Sequence, residues 1–188
     1  MDVKRIIESL LFVSRGPLTL ERIKSILHDT DRTVINMEIR SLVEDYKNRN
    51  GGFYIAEVAG GYQFRTHPDC KQWVTLLNQP SPLRISRAAL ETLSIIAYKQ
   101  PLIRSDIEYI RGVDSGGVIR NLLDLKLIRV LGRKDIPGRP LIYSTSKYFL
   151  ELFGLNDIKD LPTLNEIEDL VKKQEEPSQG LSGDQEKP

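Results

Sequence analysis

SRAALETLSIIAYKQPLIRSDIEYIRGVDSGGVIRNLLDLKLIRVLGRKDIPGRPLIYST, residues 86–145, holds three apolar-periodic segments followed by two extended ones. Ser86 stands where an N-cap belongs, with Ile85 and Leu90 flanking it as a hydrophobic staple. Leu90, Leu93, Ile96 and Ala97 then recur at helical spacing. Pro101 ends that helix, because it lacks an N–H and disfavours helical geometry just before itself. Ile103, Ile107 and Ile110 predict the apolar face of a second helix, closed by Gly112. Asp114 is placed to cap a third, with Val113 and Val118 as its staple and Val118, Ile119, Leu122 and Leu123 as its buried side. Strands are expected over Leu127–Leu131 and Leu141–Thr145, with Pro137-Gly138 marking the turn between them. The order helix, helix, helix, strand, wing, strand is that of a winged helix-turn-helix.

The preceding residues repeat this plan. Displaced by 84 positions, Gly16-Pro17-Leu18 falls on Gln100-Pro101-Leu102, and Ile23 and Ile26 fall on Ile107 and Ile110. Val34, Ile35 and Ile39 fall on Val118, Ile119 and Leu123, and Leu10, Leu11 and Phe12 on Ser94, Ile95 and Ile96. The fold class expected is therefore mainly α with small β-wings, an α+β pair of tandem winged helix-turn-helix domains. In the first, helices are expected from Val3 to Ser14, after the Thr19 cap, and from Arg32 to Arg49, where Gly51-Gly52 ends the third. A hairpin over Phe53–Val58 and Tyr62–Thr66 follows, then a closing helix from Pro68 to Leu77. The expected organisation is a first domain over 1–78, a Pro-rich linker over 79–82 and a second domain over 83–160. A short amphipathic segment over 161–171 carries Leu164, Ile167, Leu170 and Val171, and a polar tail over 172–188 lacks the apolar content to order itself.

GRKDIPGRPLIY, residues 132–143, in combination with IRGVDSGGVIRNLL, residues 110–123, resembles the second domain of the segregation and condensation protein B family. The resemblance extends over about residues 1–165. It implies a homodimeric, non-catalytic subunit of a condensin-like complex, in the cytoplasm and associated with the nucleoid. Such a subunit binds the kleisin ScpA and, through it, the SMC ATPase. It would take part in chromosome condensation and partition during cell division. The first domain would carry dimerisation and the second kleisin binding.

Composition agrees with a binding role. Residues 1–80 hold eleven basic and ten acidic side chains, residues 81–160 thirteen and nine, and residues 161–188 three and seven. The second domain is thus mildly basic, and the net charge of +1 is not that of a dedicated nucleic-acid binder. Cys70 is the single cysteine, which rules out an intrachain disulfide and a cysteine-based metal site and fits a reducing cytoplasm. His28 and His67 stand isolated. No nucleophile–base set, metal-ligand spacing or phosphate-binding glycine loop is present, so neither catalysis nor a cofactor is expected. No apolar run is long enough for a membrane span.

A DNA-reading winged helix puts basic and amide side chains at the start of its third helix. Here that stretch offers Ser115, Gly116, Gly117, Arg120, Asn121 and Asp124, all expected at the surface. The first domain offers Asp31, Arg32, Asn36, Glu38 and Arg40, of mixed sign. Sequence-specific DNA binding, the role of a winged-helix transcription regulator, is therefore the lesser alternative; any DNA contact would be indirect, or weak and non-specific. Arg133, Lys134 and Arg139 on the second wing are either phosphate contacts or polar residues of a turn diluted by Asp135. Gly116 and Gly117 admit two readings: close approach of a partner chain, or close packing of the domain's own helices. The family resemblance favours a partner, and the expected kleisin contact comprises Asp114, Ser115, Gly116, Gly117, Arg120, Arg133, Lys134 and Arg139. Phe12, Tyr46, Trp73, Tyr98, Tyr109, Tyr148 and Phe149 are more aromatic surface than two small cores can cover, which points to protein interfaces.

Overall fold

A computed structural model describes residues 2–79, 84–163, 165–167 and 169. Helix α1 (Val3–Val13) is capped by Asp2, whose side chain accepts from the Lys4 amide. Thr19 caps α2 (Leu20–Ile26) and Asp31 caps α3 (Arg32–Asn48). Strands β1 (Phe53–Val58) and β2 (Gly61–Thr66) then pair in an antiparallel hairpin with Val58 opposite Gly61. Ala59 and Gly60 at its tip both take left-handed φ, 52° and 74°, as a two-residue turn matched to strand twist requires. A short 3-10 turn over Pro68–Cys70 leads into α4 (Lys71–Asn78), the expected closing helix.

The second unit begins at Ser86, whose hydroxyl accepts from the Ala89 amide and starts α5 (Arg87–Lys99). A two-residue strand β3 (Leu102–Ile103) precedes α6 (Arg104–Arg111), which Gly112 ends at φ 71°. Helix α7 (Gly116–Asp124), β4 (Ile128–Arg133), β5 (Leu141–Thr145) and α8 (Lys147–Phe153) complete it. The sheet runs β3-β5-β4, all antiparallel, with Leu131 bulged out of β4 between Val130 and Gly132. Strand β3 was not expected, since two residues are too few to show a period of two. Its counterpart in the first unit is a single bridge, Leu18 to Tyr62.

Two separate apolar clusters form the cores. Ile7, Leu11, Ile23, Ile35, Ile39, Leu42 and Ile55 fill the first; Leu93, Ile96, Ile107, Ile119, Leu122, Leu127 and Phe149 are among those filling the second. Ile23 and Ile107 are equivalent and fully buried, as the 84-residue offset requires, and so are Ile35 and Ile119 in near-complete burial. The offset slips by one residue in the first helix, where Leu11 matches Ile96 in burial and Phe12 points outward. Val34, Leu90, Ile26 and Ile110, all expected on apolar faces, are instead exposed. Leu90 faces out while Ala89 takes the inner position, and both Ile26 and Ile110 lie at the outer edge of their second helices. Residues 80–83, most of the expected linker, lie outside the described residues, as do Leu164, Leu170, Val171 and the whole of 172–188.

Candidate protein-interaction surfaces

The start of α7 is built by α6. Arg104 Nε donates to Glu108 Oε1 at 2.6 Å, and its Nη2 pairs with Asp114. The same Glu108 oxygen accepts the Ser115 amide at 3.0 Å, and Asp114 Oδ1 accepts the Gly116 amide at 3.2 Å. Two of the amides that a helix leaves without internal partners are thus taken by the chain's own carboxylates. Glu108 is held below the usual carboxylate range, first by the Ser115 amide and then by Arg104. A Cβ on Gly116 would lie 2.8 Å from the Arg104 guanidinium carbon, so this glycine makes room for Arg104. Gly117 faces open space. The two glycines therefore divide the two readings between them.

Ser115 is a correction. It is fully buried rather than exposed, donating to the Val113 carbonyl at 3.2 Å and accepting from Arg111 Nη1 at 3.0 Å. Arg111, with only 6% of its side chain exposed, reaches Glu91 across α5 at 3.3 Å, while its buried Nε has no hydrogen-bond partner among the described residues. Arg104, Glu108 and Arg111 escaped sequence reasoning. The Arg104/Glu108 spacing of four signalled the first pair; Ser115 and Arg111 meet only through the Gly112 turn.

The second wing forms its own group. Arg133 Nη1 donates to the Arg139 carbonyl at 3.0 Å and the Lys134 amide to the Pro140 carbonyl at 2.9 Å. Gly138 and Arg139 take φ of 82° and 41° to close the turn. All three basic side chains are exposed, but no hydrogen bond among the described residues joins them to the start of α7. The eight expected contact residues thus share no single hydrogen-bonded network, and Arg120 is exposed on α7.

Apolar surface is concentrated in two places. No residue of α4 is buried, and Trp73, Leu76 and Leu77 are 61%, 72% and 83% exposed on one helical stripe. Beside the start of α7, Tyr109 is 89% exposed and adjoins the exposed Ile110 and Val113. Of the seven surplus aromatics, Phe149 is buried and Tyr46 half-buried, and the other five are exposed. Among the described residues no group of three or more His, Cys, Asp or Glu side chains is arranged to hold a metal ion. Nor is any described helix long and apolar enough to cross a membrane.

Residues 5–164 match the family model described as segregation and condensation complex subunit ScpB. Over 175 residues the chain is 49% identical to segregation and condensation protein B of Syntrophotalea carbinolica, a match covering 93% of this chain and 88% of that one. Among solved structures, ScpB from Mycobacterium tuberculosis is 28% identical with a TM-score of 0.38, covering 82% of this chain and 98% of that one. A dimer of the ScpB N-terminal domain complexed with ScpA peptide is 25% identical with a TM-score of 0.35, covering 39% and 91%.

Proposed function

Since the chain belongs to the ScpB family of segregation and condensation proteins, we propose that it is the winged-helix subunit that orders the kleisin of an SMC complex in chromosome condensation and partition. The observation that carries this is a family match spanning both winged helices in a chain whose outstanding surfaces are apolar. Family members are non-catalytic, and the work of this chain is geometric. It dimerises, binds the kleisin ScpA and thereby meets the SMC ATPase, in the cytoplasm at the nucleoid.

The first unit carries dimerisation through α4. Eight residues are too few for a helix to persist unaided in water, and no described residue of the chain covers the Trp73, Leu76 and Leu77 stripe. A second copy supplies that cover. The kleisin docks on the second unit, with Tyr109, Ile110 and Val113 as apolar anchors beside Asp114, Gly117 and Arg120. Arg133, Lys134 and Arg139 steer acidic kleisin side chains toward it. Ser115 and Gly116 shape the turn without touching the partner. Arg120 between Asp114 and Asp124 is poor equipment for binding phosphates, which disfavours DNA as the main ligand.

Co-expression with the kleisin and mass measurement of the purified complex test the reading. Gly117→Arg and Tyr109→Ala should each abolish co-purification while leaving the dimer intact. Retention of the kleisin by both variants places the contact elsewhere.

A further inference from the structure

The tip of a two-residue hairpin is ordinarily its most exposed part, and the amides of its two turn residues point outward to solvent. In β1–β2 both of these amides are taken by the second unit. Ala59 is buried, its amide donating to the Leu155 carbonyl at 2.8 Å. The Gly60 amide donates to Asn156 Oδ1 at 2.9 Å, and Asn156 Nδ2 donates back to Glu57 Oε1 at 3.1 Å. Further along β2, Gln63 Nε2 donates to Glu151 Oε1 at 3.1 Å and Arg65 Nη2 to the Glu151 carbonyl at 2.6 Å. These five bonds join residues 57–65 of the first unit to 151–156 of the second.

The receiving loop is shaped before the hairpin arrives. Gly154 at φ 69° ends α8, and the Leu155 amide returns to the Leu150 carbonyl at 2.9 Å. Asp160 then accepts the amides of Asn156 and Asp157 at 3.0 and 2.8 Å, which aims the Asn156 side chain at the hairpin. Arg65 meets a helix end whose carbonyls favour a cation. We infer that the β1–β2 tip and the loop after α8 form a latch holding the two winged helices at one angle, with Asn156 as its positioning residue. Accepting from the turn at Gly60 while donating to Glu57 on β1 needs a side chain with both an acceptor and a donor, which the Asn156 amide supplies. Read with the proposed function, the latch sets the angle between the α4 dimer face and the α6–α7 kleisin face.

The latch is tested on the full chain alone, so its failure and a failure of kleisin binding are read separately. Backbone amide relaxation by nuclear magnetic resonance gives a tumbling time for each unit, and hydrogen exchange reports the Ala59 and Gly60 amides. The wild type should show one shared tumbling time. Asn156→Asp sets a second carboxylate against Glu57; the second unit should then tumble faster, and the two amides should exchange about tenfold faster or more, as expected for losing one or two net hydrogen bonds. Adding Glu57→Gln returns a donor opposite the new carboxylate and should restore both readouts. Independent tumbling in the wild type overturns the latch, as does an Asn156→Asp chain that behaves as wild type. Loosening that Glu57→Gln does not reverse overturns the role given to Asn156.

Discussion

Gly61→Ala is expected to destabilise the first winged helix severely, for a reason of space alone. Gly61 is buried at the start of β2, beside the Tyr62 that exchanges hydrogen bonds of 2.9 and 3.0 Å with Leu18. A Cβ there would lie 2.8 Å from the Leu18 carbonyl carbon and 2.9 Å from its oxygen, both backbone atoms that no side-chain rotation can move. Reaching an ordinary 3.4 Å contact needs a shift of about 0.6 Å between segments that the bridge holds together. Overpacking of this kind costs about 1–3 kcal/mol. Loss of the bridge adds about 1 kcal/mol for each of two hydrogen bonds. A total of roughly 3–5 kcal/mol corresponds to a fall of about 12–40 °C in Tm for a unit of this size. Differential scanning calorimetry of the full chain is the assay, and the loss should fall on the transition assigned to the first unit. Gly60→Ala is the contrast: nothing lies within 4 Å of its Cβ, so only the strain of φ 74° counts, about 1–2 kcal/mol. A Gly61→Ala shift below about 3 °C, less than 1 kcal/mol for such a unit, would refute the steric argument.

Leu77→Glu should convert the dimer to monomer in sedimentation velocity at micromolar concentration, with the helical circular dichroism signal nearly unchanged; a dimer that survives removes α4 from the interface. Ser115→Ala should lower second-unit stability by about 1–3 kcal/mol in urea, because it leaves the buried Arg111 with one fewer acceptor. Glu108 has its folded pKa lowered from 4.5, so the stability it contributes is present above about pH 4.5 and is lost as pH falls through the lower folded value. Urea midpoints of wild type and Glu108→Gln, measured from pH 7 down to 3, should converge on the acid side; parallel curves would show that this carboxylate does not cap α7.

The architecture was legible where one physical signal dominated locally. Ser86, Thr19 and Gly112 mark helix ends through caps and turn geometry, and they fall where the sequence puts them. Periodicity was less faithful at helix edges, because an apolar residue there serves core and surface patterns equally. Ile110 and Leu90 fit the core spacing and nonetheless face outward. The site was legible in part. Asp114, Gly117 and Arg120 are exposed as expected, but the burial of Ser115 depends on Arg111 and Val113 meeting around a turn. Arg65 lies on β2 of the first wing. Its partner is a backbone carbonyl on α8, and carbonyls leave no mark in a sequence.

The bulge at Leu131 bears on how this chain avoids pairing strand to strand with its own copies. Strand β4 is the outer edge of its sheet, and with Val130 and Leu131 exposed it offers an apolar template for another extended chain. An incoming strand needs an even row of amides and carbonyls, and the extra residue breaks that row at its middle. Arg129 and Arg133 add charge to either side of the break. The irregularity that spoils the ladder is thus a guard against edge-to-edge aggregation. A chain lacking Leu131 would regain a continuous ladder and, with it, a sticky edge.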